Sequence, residues 1–190
     1  MVMKKSLFAL TIFLCCLLIS TSAQNLVPNG SFENFTQCPQ NSNLIYFATG
    51  WFQPNKYPGG LSVNQSSESD YYNVCDTSLN VSVPKNWMGY QYAKTGNAFV
   101  GITTYSFFFN GNGGREYAEV KLNQVLEANK KYVLKYYVSM ANESRFSVTK
   151  FDAHLSRDSL LYSSIDLLTI NVIPQFQYNS RVDDTLTWVE

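Results

Sequence analysis

Between residues 116 and 141 apolar and polar positions alternate almost without interruption. Ala118, Val120 and Leu122 fall on one side of an extended chain and Glu119 and Lys121 on the other. From 132 to 140 the set Tyr132, Leu134, Tyr136, Val138 and Met140 opposes Val133, Lys135, Tyr137 and Ser139. A period of two is that of a half-buried strand, and the β-branched and aromatic content agrees with it. Between the two runs Glu127, Ala128, Asn129 and Lys130 are polar, and Asn129 tolerates the left-handed backbone of a tight connection. The pattern predicts an antiparallel hairpin at the centre of an all-β domain.

The flanking chain repeats the motif in shorter pieces. Residues 25–33 alternate loosely and include Pro28, as an edge strand or bulge would. The segment 44–52 is apolar and ends in Gly50-Trp51, whose indole is expected in the core. From 53 to 70, Pro54, Pro58, Gly59 and Gly60 mark a long irregular loop. The chain returns at 71–75, turns at Thr95-Gly96-Asn97 and runs as a strand from 98 to 105. Phe107 to Phe109 and the glycine-rich 110–114 form an excursion before the hairpin. Beyond it Phe151, Ala153 and Leu155 alternate with Asp152 and His154, and 170–173 is a further short strand. No amphipathic helix longer than a turn or two is visible. Many short strands with turn residues between them predict an antiparallel β-sandwich. Residues 186–190 read as the start of a strand with no partner, so the domain is expected to be incomplete at its C-terminus.

The N-terminus changes the address. Lys4 and Lys5 precede an apolar run from Leu7 to Ile19, and Thr21-Ser22-Ala23 offers a cleavage site, so residues 1–23 read as a signal peptide and 24–190 as one domain. The run is shorter than the roughly 20 residues of a spanning helix, which leaves no transmembrane segment after cleavage. Loss of Lys4 and Lys5 from 14 basic residues leaves 12 against 14 acidic ones, a balance that does not favour nucleic acid. Cys15 and Cys16 leave with the signal; Cys38 and Cys75 then pair most simply as a disulfide in an exported protein, two free thiols being the alternative. The sequons at Asn29, Asn34, Asn64, Asn80 and Asn142 are acceptors only in a eukaryotic secretory pathway.

Taken together, these segments resemble carbohydrate-binding modules with a galactose-binding-like jelly roll. Residues 25–33 resemble their opening strand, Gly50-Trp51 the next, and 126–138 their central hairpin. The chain is closer still to the N-terminal jelly roll of surface proteins from gliding bacteria. There Cys38-Pro39, Ala48-Thr49-Gly50-Trp51, Tyr72-Asn73-Val74-Cys75, Val83-Pro84, Gly89-Tyr90-Gln91, Gly96-Asn97-Ala98, Arg115-Glu116-Tyr117 and Pro174-Gln175 have counterparts. The resemblance implies a secreted, cell-surface or outer-membrane-associated protein that continues into an OmpA-like peptidoglycan-binding domain or a type IX sorting signal. It also places Glu33 at a position that ligates a structural calcium in related modules; the competing reading is that Glu33 caps a strand end, since one carboxylate cannot supply six to eight oxygens.

Catalysis finds little footing. His154 is the one histidine, and no Gly-x-Ser-x-Gly elbow accompanies it. One histidine and two paired cysteines are too few for a zinc site, and 111–114 lacks the Lys-Ser/Thr of a phosphate loop. No spacing singles out the carboxylate pair a glycosidase needs, roughly 5 to 10 Å apart. Aromatics are what remains, at 15% of residues against 15% charged. A sugar presents C–H on its face and hydroxyls on its rim, which suits a Tyr or Trp ring beside amides. Tyr72, Trp87, Tyr90 and Tyr105 are the candidates, with Tyr57 nearer the loops and Asn86, Gln91 and Arg115 beside them; for each the competing reading is packing. The expectation is a non-catalytic module, most plausibly for polysaccharide. A structural or adhesive spacer and the accessory module of a hydrolase are the alternatives.

Overall fold

A computed structural model describes residues 24–54, 69–105, 115–160 and 172–190. The expected signal segment, most of the expected 53–70 loop with Tyr57, the expected 107–114 excursion and the start of the expected 170–173 strand lie outside the described residues. Within them the chain is all-β, built from short antiparallel pairs, with one 3-10 turn at Ile45–Phe47. Among the described residues no helix is long and apolar enough to cross a membrane.

The longest ladder joins β2 (Asp70–Asn73) to β5 (Ala98–Gly101), with Asp70 opposite Gly101 and Asn73 opposite Ala98. All four residues of β2 are buried, polar ends included. Tyr71 fills the core between Ala48 and Ala98, and Phe32, Phe47, Trp51 and Val100 close around it. Its hydroxyl is satisfied in place, donating to the Phe32 carbonyl at 2.8 Å and accepting from the Asn73 amide at 2.7 Å, as burial of a polar atom requires. Trp51 behaves as its position in the sequence predicts. It packs at a tilt against Phe32, with ring centroids 4.8 Å apart, and its indole N–H donates to the Asn29 carbonyl at 3.0 Å.

β1 (Trp51–Phe52) pairs with β6 (Glu119–Val120), and β3 (Lys85–Asn86) with β4 (Gly89–Tyr90). The first of these corrects the expected central hairpin. The 119–120 strand forms, but its partner is β1; the 132–140 run goes elsewhere. Val138 exchanges two backbone hydrogen bonds with Val189, at 2.9 and 2.8 Å. Bridges of Val148 with Val182 and of Ala153 with Phe176 continue at nearly the same register. Residues 176–189 therefore run back along 138–153 as an interrupted antiparallel pair, and the C-terminal segment has the partner that the sequence did not reveal.

One further expectation changes, and three hold. Residues 25–33 form turns, with Asn29 and Phe32 at φ 47° and 63° and the Phe32 N–H bonded to the Asn29 carbonyl. The Asn29 side chain holds this loop shut through Asn34 and Thr49. Asn129 does take up left-handed backbone, at φ 62°, and the Lys130 N–H reaches back to the Glu127 carbonyl. Gly96, at φ 68°, makes the expected turn before β5. The disulfide between Cys38 and Cys75 is formed and ties the polar 34–43 loop to the residues just after β2.

Candidate functional site

The β3–β4 hairpin has Trp87 and Met88 at its tip, and from the end of β4 the chain continues as Tyr90-Gln91-Tyr92-Ala93-Lys94. Burial alternates along these five residues. Tyr90, Tyr92 and Lys94 are exposed, and Gln91 and Ala93 turn inward. The Tyr90 and Tyr92 rings meet edge to face at 5.6 Å, with the Tyr90 hydroxyl donating to that of Tyr92 at 3.1 Å. That hydrogen bond pushes the Tyr90 hydroxyl above its ordinary pKa. Trp87, Tyr90 and Tyr92 remain 56%, 53% and 62% exposed, so three large rings stand in solvent along one short stretch.

Several contacts hold this stripe in place from beneath. Gly89 is at φ 128°, a conformation side chains rarely adopt, and any Cβ there would run into the Asn142 side chain. Asn142 in turn accepts the Tyr90 N–H at 2.7 Å, while the Glu143 N–H donates to the Met88 carbonyl. Inward-facing Gln91 donates to the Tyr92 carbonyl at 3.1 Å and accepts the Ser139 hydroxyl at 3.2 Å. Trp188 adds a third brace: its indole N–H donates to the Tyr92 carbonyl at 2.8 Å, and its ring packs edge to face on Phe99 at 5.5 Å. Lys94 lies over the Tyr137 ring, 4.6 Å from its centroid.

The sequence-derived candidates divide accordingly. Trp87 and Tyr90 belong to the exposed stripe, with Gln91 as a brace under it. Tyr72 is 3% exposed, stacked on Phe99 at 4.8 Å, and donates to the Asp70 carboxylate at 2.9 Å. It offers no face to a ligand, and packing is its role. Burial and the neighbouring Asp70 charge push its hydroxyl far above the ordinary range. Burial likewise raises the Asp70 carboxyl, against the hydrogen bonds from Asn43, Tyr72 and Trp87. The Trp87 indole thus touches the buried pair with one edge and solvent with the rest. Tyr105 and Arg115 are exposed at the two edges of the undescribed 106–114 segment, beyond the far end of β5 from Tyr92. Asn86 is spent on its own hairpin, accepting the Met88 N–H at 3.0 Å.

Glu33 caps a strand. Its Oε1 accepts the N–H groups of Asn97 and Ala98, at 2.8 and 3.2 Å, and its Oε2 faces the Asn97 amide. Among the described residues no three His, Cys, Asp or Glu side chains gather as metal ligands. His154 faces the Ile173 carbonyl at 3.1 Å. A polar depression of about 390 Å³ beside the disulfide, lined by Gln40, Asn41, Asn80 and residues 75–78, carries no aromatic surface. Its Asp76 carboxylate is consumed by the N–H groups of Ser78 and Val81 and the Ser78 hydroxyl.

Sequence reasoning missed Tyr92, Lys94 and Trp188. The signal for the first two was present, since Tyr90, Tyr92 and Lys94 alternate with Gln91 and Ala93. No protein-family model matches the chain, and neither a curated protein nor a solved structure is similar to it.

Proposed function

We propose that the chain is a non-catalytic, secreted binding module that holds polysaccharide at a bacterial cell surface through Tyr90, Tyr92 and Trp87. One observation carries the reading: alternation along 90–94 turns two tyrosine rings outward, edge to face, on backbone fixed by Asn142, Gln91 and Trp188. A ring held by its backbone loses little freedom on binding, so its apolar face can meet the C–H face of a sugar while its hydroxyl and nearby amides meet the rim. The antiparallel pairs join segments far apart in sequence, 51–52 with 119–120 and 138 with 189. Such long-range pairing supports a jelly-roll sandwich of the carbohydrate-binding type. A leader-like N-terminus and a disulfide support export.

Affinity electrophoresis through gels containing soluble polysaccharides tests the proposal. The native protein is retarded by at least one, and Trp87→Ala and Tyr90→Ala abolish the retardation while the far-UV spectrum stays unchanged. A folded protein that migrates freely through every gel would instead support a spacer that presents a neighbouring domain.

A further inference from the structure

We propose that the polymer is anionic, bearing carboxylate or sulfate groups, and that its charges are recognised by Lys85, beside Tyr90 on the neighbouring strand, and Lys94, beyond Tyr92 along the chain. This rests on the binding-module reading above. Lys85 is the direct cross-strand partner of Tyr90 in the β3–β4 pair, which puts both side chains on one face about 5 Å apart at Cβ. Lys94 follows Tyr92 by two residues on the exposed side of the alternation, and its ammonium is positioned over the Tyr137 ring. The surface therefore reads cation, ring, ring, cation. Because the two rings stand edge to face, a sugar of the chain stacks its C–H face on one of them while neighbouring anions meet the lysines.

Neither lysine is held by a carboxylate, and Lys94 keeps its contact with the Tyr137 ring. Among the described residues the ion pairs are Lys130 with Glu127, Lys135 with Glu190, and Arg181 with Asp183; neither Lys85 nor Lys94 is in one. Three carboxylates lie in the neighbourhood. Asp184 spends its oxygens on Leu186 and Thr187, Asp70 is buried beneath Trp87, and Glu143 is exposed next to Asn142. Asp184, held below the ordinary carboxylate range by its hydrogen bonds, keeps its charge and with Glu143 opposes an incoming anion, which the two lysines must outweigh.

The full chain is tested by affinity electrophoresis against a uronate polymer (polygalacturonate), a sulfated one (dextran sulfate), a neutral one (dextran) and duplex DNA. The expected result is retardation by the uronate or the sulfated polymer and by neither of the others. It weakens about fivefold in each of Lys85→Gln and Lys94→Gln, the upper range for one exposed charge contact, and it fades at about 0.5 M salt, where screening is strong. Which anionic gel retards more identifies the group. Thermal melting of Lys85→Gln matches the native protein, and Lys94→Gln falls only by the small amount that an exposed contact with the Tyr137 ring contributes. Equal retardation by dextran, unaffected by the lysine changes, overturns the anionic ligand and leaves the binding module standing. Retardation by DNA as strong as by either anionic polysaccharide overturns it in favour of unselective polyanion binding, and no retardation anywhere overturns both.

Discussion

Glu33 caps the start of β5 from 64 residues away, its Oε1 accepting the Asn97 N–H at 2.8 Å. The same oxygen takes the Ala98 N–H, so one carboxylate closes the N-terminal turns against the core strand. Glu33→Ala should cost about 1–2 kcal/mol, the value of charge-assisted bonds whose donors are left without partners. In chemical denaturation this is a lower midpoint with an unchanged slope. Because the oxygens already face N–H donors, added calcium should leave the melting temperature of the native protein where it was. A calcium-dependent rise that Glu33→Ala removes would restore the metal reading.

The cross-link between Cys38 and Cys75 spans 37 residues. Closing a loop of that size restricts the unfolded chain by roughly 3–4 kcal/mol. Cys38→Ser with Cys75→Ser should lose about that much in denaturant unfolding and match the native protein after reduction. A difference between the double variant and the reduced protein would mean that the serines, not the lost bond, account for the change.

The core and the stripe should separate cleanly by mutation. Tyr72→Ala removes a ring stacked on Phe99 and leaves Asp70 without its hydroxyl donor, and should cost about 3–5 kcal/mol. Tyr90→Ala removes an exposed ring and should stay within about 0.5 kcal/mol. Differential scanning calorimetry of the pair decides it. Similar losses in both would mean that Tyr90 is a packing residue and that the stripe is no binding surface.

Acid should expose the Asp76 turn. Burial pulls this carboxyl upward, but hydrogen bonds from the Ser78 N–H and hydroxyl and from the N–H groups of Val81 and Thr77 outweigh it and hold the pKa below the ordinary 3.8. A carboxyl depressed in the fold binds its proton more tightly when unfolded. Its stabilisation is therefore full above 3.8 and is lost as pH falls through the folded value. Asp70 works in the opposite sense: raised by burial, it penalises the fold as pH climbs above 3.8. The two opposing effects make the difference between native protein and Asp76→Asn the informative quantity. Measured by urea unfolding from pH 7 down to about 2.5, that difference should shrink toward acid. A gap constant with pH would place the stabilising role of Asp76 outside its charge.

The sequence announced faces more reliably than partners. From 131 to 138 the odd positions are exposed and the even ones half-buried, as the alternation of Tyr132, Leu134, Tyr136 and Val138 predicted. A period of two says which side of a strand is covered, yet it does not say which strand lies alongside. Nearness in sequence favoured a hairpin between 116–122 and 132–140, whereas Trp51–Phe52 and Val189 took those edges. In 25–33 the Asn29-Gly30 pair was a turn signal that the loose alternation masked. Tyr72 misled because the polar residues beside it, Asp70 and Asn73, are themselves buried, Asp70 accepting from the Tyr72 hydroxyl and Asn73 donating to that of Tyr71. The stripe itself needed only the five residues from Tyr90 to Lys94.

Trp188 links the C-terminal segment to that stripe, and two substitutions can separate its contacts. Its ring packs on Phe99, which also stacks on Tyr72, and its N–H fixes the Tyr92 carbonyl. Trp188→Phe keeps most of the packing and removes the donor, so it should cost about 1 kcal/mol while loosening the backbone under Tyr92. Trp188→Ala loses both contacts and should cost about 2–4 kcal/mol, less than full burial would imply because the ring is only half covered. Backbone amide exchange at Gln91, whose N–H donates to the Pro84 carbonyl at 2.7 Å, reports the local effect, and calorimetry the global one. In Trp188→Phe exchange should quicken at this amide more than in the β2–β5 ladder. Uniform quickening across both regions would show that Trp188 supports the core alone and that the stripe owes its rigidity to Asn142 and Gln91.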